Sequence, residues 1–473
     1  MSFKIVVLPT DACIFFLFIV SIIYLLIARK REHLRMPWRR IAQNRIAVVS
    51  FTILGFFILI GLLDSLHFRL ALPATTVGQP VQYSAEVKSV FDIILGRAGT
   101  QNEKTYSAPF ATHLFSKETK QLPNGKEARI YPTLEYVAGG SITKEVWQSA
   151  LIALVELFVI NCVIAAVIGI FFVVKRSLKQ PKSENDEENP KGKAISFQRQ
   201  IRISIITFWI TLSFILFLSF FCLQLEQHYH IFGTDKVGVD VFYIACKSIR
   251  TALILGTLTT LFTLPFALFL GTMAGYFGGI IDDIIQYLYI TLSSVPGVLL
   301  IAASVLALEI FISNHPNLFD NIAARADARL LALCMILGLT SWTSLCRLLR
   351  GESLKLRELD YVQAARALGV SHIRIIMRHI MPNAMHIVLI ALVLDFSGLV
   401  LAEAVLTYVG VGVDPTTYSW GNMINSGRLE LARDPVVWWP LLAAFVLMFT
   451  LVLTANLVAD VVREAFDPRV REG

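Results

Sequence analysis

The stretch Leu359–Ala384 reads LDYVQAARALGVSHIRIIMRHIMPNA and contains most of the information about this chain. Asp360 followed by Gln363 has the spacing of a capping box, with an acceptor at the helix start and an amide at the third helical position. Ala364, Ala365 and Ala367 favour helix and leave a low face that another protein could approach closely. Gly369 suits the left-handed residue that ends a helix. Ser371 is placed to cap a second short helix, which Pro382 interrupts. Around the small residues stand Arg366, Arg374 and Arg378. The residues alone leave two readings open: an ordinary amphipathic connection, or a helix–turn–helix built to dock a partner.

The chain on either side is apolar. Of 473 residues 55% are hydrophobic and only 16% charged, with a mean hydropathy of +0.64. Soluble domains carry about 25% charged residues, so a soluble enzyme, a disordered scaffold and a secreted disulfide protein are excluded. Nine runs approach the roughly 20 residues a helix needs to cross a bilayer: about 12–28, 46–66, 147–174, 203–225, 251–276, 284–307, 330–348, 384–408 and 436–461. The fold expected is an all-α polytopic transmembrane bundle. The first run lacks a positive n-region and a small-x-small cleavage signal, and a basic run follows it, so it reads as an uncleaved span rather than a signal peptide.

Lys/Arg bias sets orientation. The run Arg29–Arg45, the connection Lys175–Arg202, the seven cationic residues of Arg347–Arg378 and the tail arginines Arg463, Arg469 and Arg471 fall on one side by a single alternation. That side is expected to be cytoplasmic, with the N-terminus outside and the C-terminus inside. His67–Val146 is a long outer loop that reads as a partly ordered insertion. Gln180–Lys193 (QPKSENDEENPKGK) reads as a disordered linker. The charge of +7 sits at the ends of apolar runs, where it speaks for a bilayer and not for nucleic acid.

Gln363-Ala364-Ala365, Gly369 and Met381-Pro382 resemble the EAA loop of ABC importer permeases, and the chain around them resembles the dipeptide/oligopeptide subfamily of binding-protein-dependent transport. The likeness covers Gly233–Arg469 and, more weakly, Met36–Leu66. Its further landmarks are Gly233-Thr234-Asp235 with Gly238 and Asp240-Val241, then Ser294-Val295-Pro296. Leu401-Ala402-Glu403-Ala404 through Gly412, Ser419-Trp420-Gly421-Asn422-Met423 and Asn456–Arg469 complete it. Gln363 stands where the family has Glu, and Val239 and Ile244 stand where it has arginines. These permeases usually have six spans. The resemblance therefore divides this chain into an extra span plus a family-like first span (1–66), an insertion (67–225) and a permease domain (226–473).

The resemblance implies a type I importer permease carrying di- or oligopeptides across a bacterial cytoplasmic membrane. Asp360, Tyr361, Gln363, Ala364, Ala365, Gly369 and Pro382 would form the ATPase-coupling loop. No GxxxxGK[ST] phosphate loop is present, so this chain is expected to hold no cofactor and hydrolyse nothing. ATP and Mg would sit on two partner ATP-binding subunits. A second homologous permease and an extracytoplasmic substrate-binding protein complete the expected assembly. Nickel or another small solute is the alternative cargo. An ion-coupled secondary transporter is a further alternative, but it calls for repeat symmetry and paired intramembrane charges that the sequence does not display.

Other residues remain as candidates. Asp395 and Glu403, eight apart, are intramembrane carboxylates expected to line the pathway or meet the partner subunit. Glu156 and Asn161 have no assigned role. His228 and His230 would need further ligands to hold a metal and read as a polar span end, so no metal site is expected. Trp438-Trp439 reads as an interfacial anchor.

Overall fold

The computed structural model describes residues 3–30, 32–71, 82–96, 98–99, 101–121, 127–137, 142–177, 191–315 and 321–466. Most of the Gln180–Lys193 linker, up to Pro190, lies outside the described residues, as do Arg469 and Arg471 of the tail. The chain folds as two compact units.

The first unit comprises Met1–Trp38, Phe57–Ile94 and Ile244–Gly473. Strand β1 (Phe3–Val6) pairs antiparallel with β2 (His67–Leu70), Phe3 opposite Leu70, and β2 pairs with β3 (Lys88–Ser89). Helix α1 (Pro9–Lys30) runs from the end of β1, and α2 (Glu32–Ile41) and α3 (Arg45–Asp64) return the chain to β2. The short α4 (Val90–Leu95) follows β3. Later in the chain come α7 (Val241–Phe277), α8 (Gly279–Ser294), α9 (Gly297–Asn314) and α10 (Ile322–Arg357). Then follow α11 (Asp360–Ala367), α12 (His372–Ile375), α13 (Met381–Tyr408), α14 (Trp420–Glu430) and α15 (Trp439–Phe466). Helix α10 is the hub, packing on α1, α8, α9 and α13, while α13, α14 and α15 pack on one another. Two apolar clusters hold this unit: one includes Ile254, Leu258, Leu330 and Leu337, the other Trp342, Leu349, Ile375 and Ile380.

The second unit comprises Arg39–Phe56 and Leu95–Tyr243. In it α5 (Ile142–Ser177) packs along α6 (Lys191–Glu226). Glu156 accepts a hydrogen bond from Gln224 at 3.0 Å, and Ser213 donates to Asn161 at 3.3 Å, so these residues join the two helices. Ahead of α5, β4 (Glu118–Gln121) and β5 (Glu127–Ile130) form an antiparallel hairpin.

Seven helices among the described residues are long and apolar enough to cross a membrane: 9–27, 45–64, 202–226, 241–277, 297–314, 387–408 and 439–465. Three expectations from the sequence are altered. The single span at 284–307 is two helices, because Val295 is extended (φ −86°, ψ 131°) ahead of Pro296. A proline ring disfavours the helical region for its predecessor and offers no N–H to continue the ladder. The expected 330–348 span lies within the 36-residue α10, about 54 Å at 1.5 Å per residue, which carries Arg325, Asp327 and Arg329 before that stretch and Arg347 and Arg350 at its end. Finally, α7 begins at Val241 rather than near 251, because Lys247 and Arg250 lie inside the helix with partners. Lys247 meets Asp64 at 2.6 Å and Asp92 at 2.8 Å. Arg250 meets Asp11 at 2.6 Å and Asp327 at 3.7 Å.

The same ion pairs explain how α1 is held. The first N–H groups of a helix lack intrahelical partners. Thr10, in the first turn of α1, donates its N–H to Asp327 at 3.1 Å, and its hydroxyl also hydrogen-bonds that carboxylate. The Asp11 carboxylate, fully buried, takes Arg250 on one oxygen and His67 Nδ1, at 2.8 Å, on the other. Trp439, expected to be an interfacial anchor, is 1% exposed at the start of α15, while Trp438 is half exposed. Only the latter is free to meet a headgroup layer.

A candidate coupling loop and its anchors

The loop between α10 and α13 begins at Leu359, whose extended backbone (φ −73°, ψ 142°) caps α11 without a side-chain hydrogen bond. Asp360 is therefore the first helical residue and not the cap. Its charge favours the positive end of the helix dipole. Gln363 does reach back, but its Nε2 donates to the Arg357 carbonyl at 3.2 Å, satisfying an orphan carbonyl at the end of α10 instead of an N–H. The capping box read from the sequence is corrected to this arrangement. The shift of one residue follows from Leu359 taking the extended conformation.

The far end of α11 forms as the sequence predicts. Gly369 sits at φ +73°, its N–H donates to Arg366 at 3.0 Å, and Val370 N–H donates to Ala365 at 3.1 Å. This pair of bonds is the Schellman motif. Ser371 stands at the cap of α12, but its side chain makes no capping hydrogen bond. Pro382 does not interrupt the chain. It falls in the first turn of α13, directly after a π-helical segment at Ile376–Ile380 in which Met381 N–H bonds the Ile376 carbonyl five residues back. Widening the turn absorbs the missing proline donor, so helical geometry continues from α12 into α13.

Val362, Ile375, Ile376 and Ile380 are buried in the cluster with Trp342, Leu349 and Leu356, and Ala365 packs partly against it. Polar anchors surround this apolar seat. Tyr361 Oη accepts from Asn383 Nδ2 at 3.0 Å, and Arg350 holds Asp282 through Nε and Nη2 at 2.6 and 2.7 Å. The Arg350 hydrogen bond, outweighing desolvation, keeps the Asp282 carboxyl below its ordinary value. On the opposite face Ala364 is exposed, and Leu368 (83%), Ile373 (75%) and Met377 (51%) stand out as apolar side chains. The loop thus pairs a fixed inner face with an exposed apolar outer one.

Asp395 and Glu403 occupy different environments. Asp395 is exposed and opens into a cleft of about 340 Å³ lined by Thr260, Thr263, Thr340, Ser341 and Ser344. Glu403 is 3% exposed and accepts from Thr407 Oγ1 at 2.9 Å. A side chain on Gly421 would meet its Oε1 at 2.6 Å. The pairs formed by Asp11, Asp64, Lys247, Arg250 and Asp327 escape a sequence reading. Their only signal there is that each lies at the edge of an apolar run.

Apolar helices of span length, a central hub helix and a short helix–turn–helix seated at the junction of α10 and α13 define a helical membrane permease of the type I ABC importer class. A family profile described as "Binding-protein-dependent transport system inner membrane component" matches residues 267–472. The oligopeptide transport system permease protein OppC of Mycobacterium bovis is 31% identical over 51% of this chain and 77% of its own length. OppC of Bacillus subtilis is 29% identical over 51% and 73%. The dipeptide transport system permease protein DppC of Lactococcus lactis is 29% identical over 52% and 66%. Among solved structures, one of the MetNI methionine ABC transporter in inward-facing conformations shares 16% identity over 48% of this chain and 97% of its own, with a TM-score of 0.37. The chain belongs to the family of binding-protein-dependent transport system inner membrane components. These relatives are matched over 66–77% of their lengths and 51–52% of this chain.

Proposed function

We propose that this chain is a permease subunit that imports di- or oligopeptides across a bacterial cytoplasmic membrane, N-terminus outside and C-terminus inside. The observation that carries the proposal is the α11–α12 loop, anchored on a buried cluster while Leu368, Ile373 and Met377 stay exposed. Such a face is suited to a cleft on a separate ATPase subunit. The peptide cargo rests on the relatives' names, since those proteins are described as dipeptide and oligopeptide permeases.

In this reading Asp360, Tyr361, Gln363, Ala364, Ala365, Gly369 and Pro382 form or support the coupling element. Two ATPases, holding ATP and Mg, draw two such loops together on closure. The buried seat passes that displacement to α10 and α13, and the bundle exchanges between inward- and outward-facing states as their populations shift. The hydroxyl-lined cleft at Asp395 contributes one wall of the pathway, and a second homologous permease contributes the other. An extracytoplasmic binding protein delivers the peptide, and the insertion at 67–225 is an accessory module whose opening segment, through Ile94, is packed into the first unit.

The test is uptake of radiolabelled di-, tri- and oligopeptides by the assembled complex in vesicles. Leu368→Glu alters only an exposed side chain, so membrane insertion should be normal while ATPase co-purification and peptide uptake fall together. Normal ATPase retention and uptake in this variant would remove the coupling assignment.

A further inference from the structure

Just before α7, in the second unit, four ionisable side chains gather that the transport reading does not use. One carboxylate oxygen each from Glu226 and Asp240 and one ring nitrogen of His230 all lie within 4.8 Å of one another. His230 Nδ1 is 2.5 Å from Asp240 Oδ2 and 3.8 Å from Glu226 Oε1, and its Nε2 is 3.8 Å from Glu103 Oε1. The side chains are 9% (His230), 3% (Glu226), 2% (Glu103) and 0% (Asp240) exposed.

Glu226 Oε1 and His230 Nε2, both buried, make no hydrogen bond. Glu103 is held by the backbone N–H groups of Glu135 and Tyr136, and Asp240 Oδ1 by those of Phe242 and Tyr243. Their positions are therefore set by the fold. Gly238, at φ +81°, lets the chain approach closely enough for Glu103 N–H to donate to its carbonyl at 2.9 Å; a Cβ there would lie 1.7 Å from the Glu103 carbonyl oxygen. Among the described residues, His230 is the cation that pairs with all three carboxylates. The three buried carboxylates share this single histidine, and a divalent cation among them would supply the counter-charge, or replace the protons, that burial otherwise requires.

We infer that Glu226, His230 and Asp240 bind one divalent transition-metal ion of the zinc class, through His230 Nδ1 and one oxygen of each carboxylate, with Glu103 positioning the imidazole. One imidazole and two carboxylates suit zinc, cobalt or nickel, and three protein ligands leave a fourth tetrahedral position to water. Metal-bound histidines generally donate their other ring N–H to a carboxylate, and Glu103 Oε1, 3.8 Å from Nε2, is placed to take that role as the ring turns toward the ion. Binding replaces the proton on Nδ1; Asp240 Oδ2 then moves away from the nitrogen as both turn toward the ion. The ion joins the end of α6, the turn at 233–238 and the start of α7, so it is a structural staple independent of the cargo. His228, despite its adjacency in sequence, lies outside this group.

The test uses the full-length protein purified on a non-histidine tag, stripped with chelator and reloaded with Zn²⁺, with metal per chain measured by mass spectrometry. Co²⁺ serves as the spectroscopic probe. Wild type should retain one Zn²⁺ per chain after desalting and show tetrahedral Co²⁺ absorption saturating at one equivalent. Glu226→Gln and His230→Gln should weaken binding at least tenfold and lose that absorption. Glu103→Gln should weaken binding roughly 10–100-fold, and His228→Gln should match wild type. If His230→Gln cannot be recovered from the membrane, Glu226→Gln decides alone. No stoichiometric retention in wild type, or equal retention in wild type and Glu226→Gln, overturns the site.

Discussion

Tyr276 Oη and His372 Nδ1 lie 2.7 Å apart, joining the end of α7 to the first residue of α12. The His372 ring also packs against Tyr276 and Phe277, each with centroids 5.6 Å away. Together with Asp282–Arg350, between α8 and α10, this contact holds the loop as part of the bundle. The loop is thus joined to several helices at once.

Gly369→Val should reduce coupling, while Gly369→Asn should largely keep it. A Cβ at this position meets nothing within 4 Å, so the cost is the backbone's alone, about 1–2 kcal/mol for a left-handed residue with a side chain. Asn tolerates that conformation better than a β-branched residue. The check is ATPase co-purification with peptide uptake. Equal behaviour of Val and wild type would show that the turn's conformation is unimportant.

Removing Arg250 should be strongly destabilising. Arg250→Ala leaves the carboxylate of Asp11 buried and short of a cation, and breaking a buried pair from one side costs about 3–5 kcal/mol. The triple change Arg250→Met, Asp11→Leu, Asp327→Leu should recover part of the loss, although Thr10 then loses its acceptor. Thermal midpoints in detergent decide this. An unaltered midpoint for Arg250→Ala would mean that the cluster contributes nothing to holding α1.

The Asp282–Arg350 bond sets a pH dependence. Because its folded-state pKa is depressed, Asp282 contributes stability that is present above its ordinary value of 3.8 and is lost as pH falls through the lower folded value. Asp282→Asn should flatten the wild-type decline in thermal midpoint on that acid limb. Arg350→Lys should lower stability even at neutral pH, since an ammonium cannot reproduce the two-point bond. Parallel acid limbs for wild type and Asp282→Asn would contradict the assignment.

Cysteine labelling tests the orientation. In a background without native cysteines, Thr119→Cys in β4, proposed to lie outside, should react with an impermeant reagent in intact cells, and Leu368→Cys only after permeabilisation. The reverse pattern would invert the proposed topology.

Much of this protein is legible in its sequence because the bilayer leaves few options. A long apolar run must be helical to satisfy its own backbone. Gly369 could be read as the left-handed residue that ends α11, and it sits at φ +73°. Such inferences depend on chain-local physics.

What the tertiary structure alone decided is which charged side chains share a site. Asp11 and Arg250, or Glu103 and His230, are too far apart in sequence for periodicity to relate them, and each by itself looks like a polar residue at the edge of an apolar segment. Only packing shows that Lys247 and Arg250 lie within α7 with carboxylates in reach, and so where that helix starts. Likewise, Pro382 announces a break by its missing N–H, yet the preceding π-turn absorbs it. Local sequence fixes the cost of burying a charge or losing a donor, but whether a partner offsets that cost depends on contacts brought together by the fold.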